Sequence, residues 1–288
     1  MKRDNKLRKF DNLIISAGSG VSSNGFTLLQ TRQRLKNRDR LDSAYTPPVR
    51  PAAALAKAQI TRHTPPMSNQ TILITGANRG IGLEFAKHYA AQGHQVIGAC
   101  RETSEALEAI STRIITGIDL SHLSNIVTLA EELGDTPIDT LINNAGMWHD
   151  ETVNDMNIDQ IIEQMTINAY APLKITTTLL PNLKEGSKVA MITSRMGSIA
   201  DNSSGGRYGY RGSKAALNMF SKSLAIDLKP KGIAIAILHP GYVQTRMVNF
   251  GGDIAADESA RKLAGIIENL TLENSGTFWH SNGEVLPW

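Results

Sequence analysis

The chain has 288 residues, 41% of them hydrophobic, enough apolar side chain for one large domain or two small ones. Its single cysteine excludes an internal disulfide framework and a cysteine-built zinc cluster, and fits a reducing compartment. The net charge of +3 conceals a split: of 30 Lys/Arg and 27 Asp/Glu, residues 1–66 hold 13 and 4, which leaves 17 and 23 for residues 67–288.

The basic character therefore belongs to a leader. Residues 1–66 include TRQRLKNRDR at 31–40 and the Pro- and Ala-rich TPPVRPAAALAKAQ, with no helical or strand period, and are expected to be disordered. An organelle-targeting role suits the arginines, but Asp4, Asp11, Asp39 and Asp42 break the acid-poor pattern. The LIIS run at 13–16 is too short for a secretory core. Charge alone would suit nucleic acid, yet interleaved aromatics and a known module are missing, so no nucleic-acid partner is expected. Met67 directly precedes SNQTILITG, where folded sequence begins, and is read as a candidate translation start. No apolar run approaches the roughly 20 residues of a spanning helix, so no membrane partner is expected and the default location is cytoplasmic.

From Thr71 onward, apolar runs alternate with amphipathic stretches of helical length. TILIT (71–75), QVIGAC (95–100), RIITGIDL (113–120), DTLINNAG (139–146), KVAMITS (188–194) and IAIAILHP (233–240) read as buried strands. Helices are expected over 82–93, 125–134, 158–183 and 213–230. Strict alternation predicts one α/β domain over 67–288, a doubly wound parallel sheet of the Rossmann type. Its ligand site belongs at the carboxyl ends of the strands.

The first strand runs into Gly76-Ala77-Asn78-Arg79-Gly80-Ile81-Gly82 and then a helix. Glycines permit a tight turn and close approach of backbone N–H groups to a pyrophosphate, and the helix N-terminus favours the anion. Near the end of the second strand stands Arg101, where a carboxylate would bind ribose hydroxyls; Arg79 lies in the glycine loop. Two guanidiniums suit a 2′-phosphate, so NADP(H) is expected over NAD(H). Asn143-Asn144-Ala145-Gly146 ends the fourth strand, and Asp119-Leu120 the third. Asp119 would also serve as a cap for a helix starting near Ser121.

Tyr210 and Lys214 are four residues apart, on one face if helical. The neighbouring phenol of Tyr208 has Gly212 at that spacing, which selects Tyr210. Ser194 closes the fifth strand, and Asn168 lies in the long preceding helix. His239-Pro240-Gly241-Tyr242-Val243-Gln244-Thr245 follows the sixth strand, and the segment 246–262 suggests a mobile substrate flap with Met247 and Phe250 in it. The dispersed histidines offer no metal-ligand spacing, so no metal is expected, and Cys100 reads as a packing residue.

The G-x-x-x-G-x-G loop after Thr75, the N-N-A-G run and the Asn168, Ser194, Tyr210, Lys214 set resemble the short-chain dehydrogenase/reductase family over residues 70–288. The segments GYRGSKAALN and GTFWHSNGEVLPW resemble the branch containing the C-factor and Sniffer carbonyl reductases. The resemblance implies an NADPH-dependent reductase of aldehydes or ketones, reversible on the alcohol. Tyr210 would be the general acid, Ser194 would bind the substrate oxygen, Lys214 would hold the nicotinamide ribose and tune the phenol, and Asn168 would support a water-linked proton relay. It further implies cofactor contacts from Asp119 and Leu120 to adenine, from the Asn143, Ala145 and Gly146 backbone, and from Pro240, Gly241, Val243 and Thr245 beside the nicotinamide. A free phenol titrates near 10, and bringing Tyr210 toward about 7 needs roughly 4 kcal/mol of phenolate stabilisation, expected largely from Lys214 and the oxidised cofactor. One departure is visible: the loop 196–209 is a few residues longer than in most members. The alternative function is a dinucleotide-binding signalling protein with little turnover, and a homo-oligomer is compatible with the family.

Overall fold

The computed structural model describes residues 69–288. The leader, Met67 and the expectations attached to them lie outside the described residues. Seven strands form one sheet: β1 (Thr71–Thr75), β2 (Gln95–Ala99), β3 (Arg113–Ile115), β4 (Ile138–Asn143), β5 (Leu183–Ile192), β6 (Ala234–His239) and β7 (Phe278–His280). Their order is β3-β2-β1-β4-β5-β6-β7 and every pairing is parallel. The chain builds outward from β1 to β3 and then returns to the other side of β1, so β1 and β4 flank the point where winding reverses. In open sheets of this kind a crevice forms at that point.

Two-residue periodicity sorts the strand side chains onto two cores. Leu73, Leu141, Val189, Ile235 and Ile237 face one side, under α3 (Asn125–Leu133), α5 (Ala171–Thr178) and α6 (Tyr208–Leu228). Ile72, Ile74, Ile142, Ala190 and Ala236 face the other, with Phe85 of α1 (Gly80–Ala91) and Leu263 of α7 (Ala256–Glu268). A side chain of Phe85's size, wholly buried, is worth about 1.5–3 kcal/mol. Both faces are covered, which explains why these strands read as continuous apolar runs.

The structure corrects several boundaries. β3 stops at Ile115, because the chain turns at Gly117 with φ of +76°. β5 starts earlier than expected, at Leu183, and includes Gly186 at φ +87° beside a shift in register with β4. The helix expected over 158–183 is broken: α4 (Ile158–Met165) passes into a π turn at Thr166–Tyr170 before α5 begins. Pro172 supplies the reason, since it has no N–H to give the carbonyl of Asn168 four residues earlier and its ring crowds that carbonyl. The expected flap is shorter than 246–262. It is an irregular loop ending near Ile254, after which α7 packs on α1. The short α2 (Glu105–Glu108), α7 and β7 are elements the sequence pattern did not yield. Among the described residues, no helix is long and apolar enough to cross a membrane.

Candidate active site

The turn after β1 is built on glycine. Gly76 and Gly80 sit at φ +65° and +54°, and a Cβ on Gly82 would lie 2.2 Å from the Gly76 carbonyl oxygen. That close approach seats the start of α1 against the strand end. Arg79 gives α1 no side-chain cap and the first turn holds no acid, so the amide end of the helix is left for an anion. Ile81 is half-buried at the same turn. The Asn78 side chain donates to the Glu102 carbonyl (2.8 Å), and the Ser104 hydroxyl donates to the Asn78 carbonyl (3.0 Å). These bonds fasten the glycine loop to the segment carrying Arg101. Both Arg79 and Arg101 are exposed, and neither forms an ion pair among the described residues.

Asp119 accepts from the Ser121 N–H (3.0 Å) and hydroxyl (2.8 Å), which hold its carboxyl below the usual range, with a smaller contribution from Arg101. It caps a local turn and not α3, which begins only at Asn125. Leu120 beside it is buried in the core. Across the reversal point, Thr75 Oγ1 accepts from the N–H groups of Asn144 (3.0 Å) and Ala145 (3.1 Å). The Asn144 amide returns bonds to the carbonyls of Thr75 (3.0 Å) and Gly76 (3.3 Å). Asn143 instead points into the sheet interior, donating to Thr176 Oγ1 (3.2 Å).

Three separate elements carry the expected set, and two of its members meet beside Gly146. A Cβ placed there would meet Asn168 Oδ1 at 3.2 Å and Lys214 Nζ at 3.6 Å. Asn168, wholly buried in the π turn, accepts from the Met147 N–H (2.8 Å) and donates to the Met147 carbonyl (2.9 Å) and to Ser213 Oγ (3.0 Å). Ser213 Oγ in turn donates to the Tyr210 carbonyl (2.9 Å). Ser194 caps a short 3₁₀ turn after β5, accepting from the Met196 N–H (3.1 Å). In that turn Gly197 rests directly on α6, where a Cβ would be 2.6 Å from the Lys214 carbonyl carbon.

Tyr210 and Lys214 share one face of α6, with Lys214 Nζ 5.7 Å from the phenol ring centroid. Burial pushes the Tyr210 hydroxyl above its ordinary value, and a hydrogen bond with Ser194 opposes this. The downward tuning expected at the phenol is thus not supplied by these residues alone; burial outweighs the Ser194 contribution. Burial lowers Lys214 to about 8, and its ammonium donates to the Ile192 carbonyl (2.9 Å). On the far side of the crevice, Gly241 takes φ +90°, the Pro240 carbonyl accepts from Ser259 Oγ (2.7 Å), and Val243 is buried. Thr245 reaches the glycine loop, 3.6 Å from where a Gly80 Cβ would stand.

Trp148 was not marked by the sequence. Its ring lies 5.7 Å from that of Tyr210, and the Arg207 guanidinium sits 5.3 Å from the indole. His239 pairs edge-to-face with His280 at 4.9 Å, away from any converging group of three or more His, Cys, Asp or Glu among the described residues. Cys100 is buried, and burial raises its thiol.

A family model for short chain dehydrogenases matches residues 70–253. The chain belongs to the short-chain dehydrogenase/reductase family. In this short-chain oxidoreductase the match runs from the first strand past the 241–245 side of the crevice. The chain is 38% identical to 1-hydroxy-2-glutathionyl-2-methyl-3-butene dehydrogenase of Rhodococcus sp. (strain AD45) over 225 residues, covering 76% of this chain and 99% of that relative. It is 43% identical to C-signal of Myxococcus xanthus over 157 residues, 53% of this chain and 93% of that relative. Among solved structures, the NADPH-bound carbonyl reductase from chicken fatty liver matches with a TM-score of 0.69 at 29% identity, covering 77% of this chain and 100% of that one.

Proposed function

We propose that the protein is an NADPH-dependent reductase of aldehydes or ketones, reversible on the alcohol, with Tyr210 as the general acid and base. The observation that carries this is the meeting of Asn168 and Lys214 at Gly146, with Lys214 Nζ 5.7 Å from the centroid of the Tyr210 ring. When bound, NADPH supplies the hydride that reduces the carbonyl carbon. The uncapped amide end of α1 and the turn at Gly76, Gly80 and Gly82 would hold the pyrophosphate, and the exposed Arg79 and Arg101 a 2′-phosphate. Asp119, Leu120, Ala145, Gly146, Pro240, Gly241, Val243 and Thr245 would line the rest of the dinucleotide, as the family resemblance implies.

The remaining work falls to the protein's side chains. Ser194 donates to the substrate oxygen and steadies the charge that develops there. Tyr210 gives that oxygen its proton as the carbon–oxygen double bond becomes single. A phenol held above its ordinary value keeps that proton at neutral pH, which suits reduction. Lys214 stands behind the ring as the cation that stabilises the phenolate left after transfer. Asn168, fixed by the Met147 backbone and Ser213 and standing beside Lys214 at Gly146, would support the water-linked proton relay that the family resemblance implies.

The likeness to C-signal favours one alternative, a dinucleotide-binding signalling protein with little turnover. One experiment separates the two: NADPH and NADH oxidation followed at 340 nm across a panel of aldehydes and ketones. The alcohol named for the Rhodococcus relative is added as a substrate for the reverse reaction. Turnover that prefers NADPH supports the reductase; NADPH binding without turnover of any member supports the alternative.

A further inference from the structure

Helix α6 begins without a cap of its own. Arg207, the residue before it, lies at φ +54° and offers no side-chain hydrogen bond to the first turn. The cap comes from far upstream in sequence. Glu151 is 1% exposed, and its Oε2 accepts from the N–H of Gly209 (3.1 Å), next to Tyr210. Its carbonyl accepts from the Arg207 N–H (2.7 Å) and so holds the left-handed residue from the other side. Glu151 Oε1 accepts from Nε2 of Gln164, which is wholly buried, and Gln164 Oε1 accepts from the His149 N–H (2.9 Å). There is no room for a side chain between these groups: a Cβ on Gly209 would stand 2.3 Å from Gln164 Nε2.

Glu151 therefore ties together the start of α6, the α4 helix and the loop 147–151. Asn168 grips the same loop at Met147, so Trp148 is fastened on both sides while it lies against the Tyr210 ring. A carboxylate this deeply buried is costly unless its oxygens are fully used, and here both accept N–H donors. No ion pair among the described residues involves Glu151, and the positive end of α6 takes the place of a cation.

We propose that Glu151 and Gln164 form a buried clasp that positions Tyr210, with Trp148 over it, for proton transfer. Both are positioning residues, acting through Tyr210, and the inference rests on Tyr210 being the proton donor. The hydrogen-bond polarity of the clasp makes it testable. Glu151→Gln places an amide NH₂ toward Gln164. Turning the Gln164 amide relieves that clash only by aiming its own NH₂ at the His149 N–H, so a donor faces a donor in either orientation. The exchange Glu151→Gln with Gln164→Glu restores the polarity between the two side chains and towards Gly209 and His149, and gives up only the longer bond from Gln164 Nε2 to the Gln160 carbonyl (3.3 Å). The amide introduced at position 151 then accepts from the Gly209 N–H through its oxygen and donates through its nitrogen to the carboxylate introduced at position 164. That carboxylate still accepts from the His149 N–H.

The full-length chain is compared with Glu151→Ala, Glu151→Gln and the exchanged pair. Three readouts are used: kcat and KM for a carbonyl that the wild type reduces, NADPH affinity by fluorescence, and the Tyr210 ionisation. The last is the 295 nm alkaline titration of each protein minus the same protein carrying Tyr210→Phe. Glu151→Ala and Glu151→Gln are expected to lose at least about 10-fold in kcat with NADPH affinity within about 2-fold. Their Tyr210 ionisation moves down toward the ordinary phenol value as water reaches the ring. The exchanged pair returns both to near wild type. Full kcat in Glu151→Ala, an exchanged pair no better than Glu151→Gln, or an unmoved Tyr210 titration overturns the clasp. Should Tyr210→Phe itself keep its turnover, the catalytic assignment falls, while the titration still decides whether Glu151 holds the phenol.

Discussion

Lys214 is held at a cost that the role proposed for it explains. It is 4% exposed, hydrogen-bonded to one carbonyl, and lowered by burial from 10.5 to about 8. The unfolded chain binds this proton up to about pH 10.5, whereas the folded chain releases it near 8. Between those values the unfolded state carries more protons, so stability attributable to this residue rises with pH. Below pH 8 the full penalty applies, about 3 kcal/mol at roughly 1.36 kcal/mol for each pH unit. Lys214→Met removes the penalty along with the bond to Ile192. The bond contributes equally at every pH below 8, so the pH dependence isolates the burial cost. Urea unfolding of both proteins from about pH 7 to 10.5 is therefore expected to show the wild type gaining about 3 kcal/mol on the variant, nearly all of it above about pH 8. Parallel stability curves would refute a buried, strained ammonium at this position. Activity should run the opposite way: carbonyl reduction by the wild type declines as pH rises through about 8, and Lys214→Met is nearly inactive throughout.

Other expectations concern single side chains. Tyr210→Phe keeps NADPH affinity and loses on the order of 10²–10⁴-fold in kcat, measured at saturating cofactor. Arg101→Asp raises the NADPH KM by at least about 10-fold while NADH is affected little; an unchanged preference between the two would remove Arg101 from the phosphate site. His239 is lowered to about 3, first by burial and then by His280 and Arg195, so the folded protein keeps it neutral while the unfolded chain protonates it below about 6.5. Stability is lost as pH falls from about 6.5, by about 2 kcal/mol at pH 5, and His239→Phe should flatten that part of the urea-derived profile relative to wild type.

Much of this site is written in short segments. The glycine turn at 76–82, the N-N-A-G run and the spacing of Tyr210 and Lys214 are each local, and strand ends bring them to one edge of the sheet without further instruction. The fold was equally legible, because a parallel sheet covered on both sides leaves continuous apolar runs in each central strand. The parts that escaped depend on distance or on exceptions to regular geometry. Glu151 and Gly209 are separated by 58 positions, and nothing near Glu151 distinguishes it from a solvated acid until the helix arrives above it. Trp148 likewise gains meaning only from the Tyr210 ring. The π turn did have a local signal, Pro172 four residues after Asn168, yet a continuous hydrophobic period across it reads as one helix. β7 was missed for another reason: three residues at an edge carry too little pattern to stand out.

Gly197 has a consequence for how such an enzyme diversifies. The turn bearing Ser194 meets the helix bearing Tyr210 and Lys214 backbone to backbone, so the gap between hydroxyl and phenol is fixed by main-chain thickness. No side chain there can be enlarged or trimmed by mutation. The exposed stretch 202–205 immediately downstream has no such constraint and can be lengthened or recoloured freely. Selection can thus redraw what the crevice admits while the spacing between Ser194 and Tyr210 stays as it was.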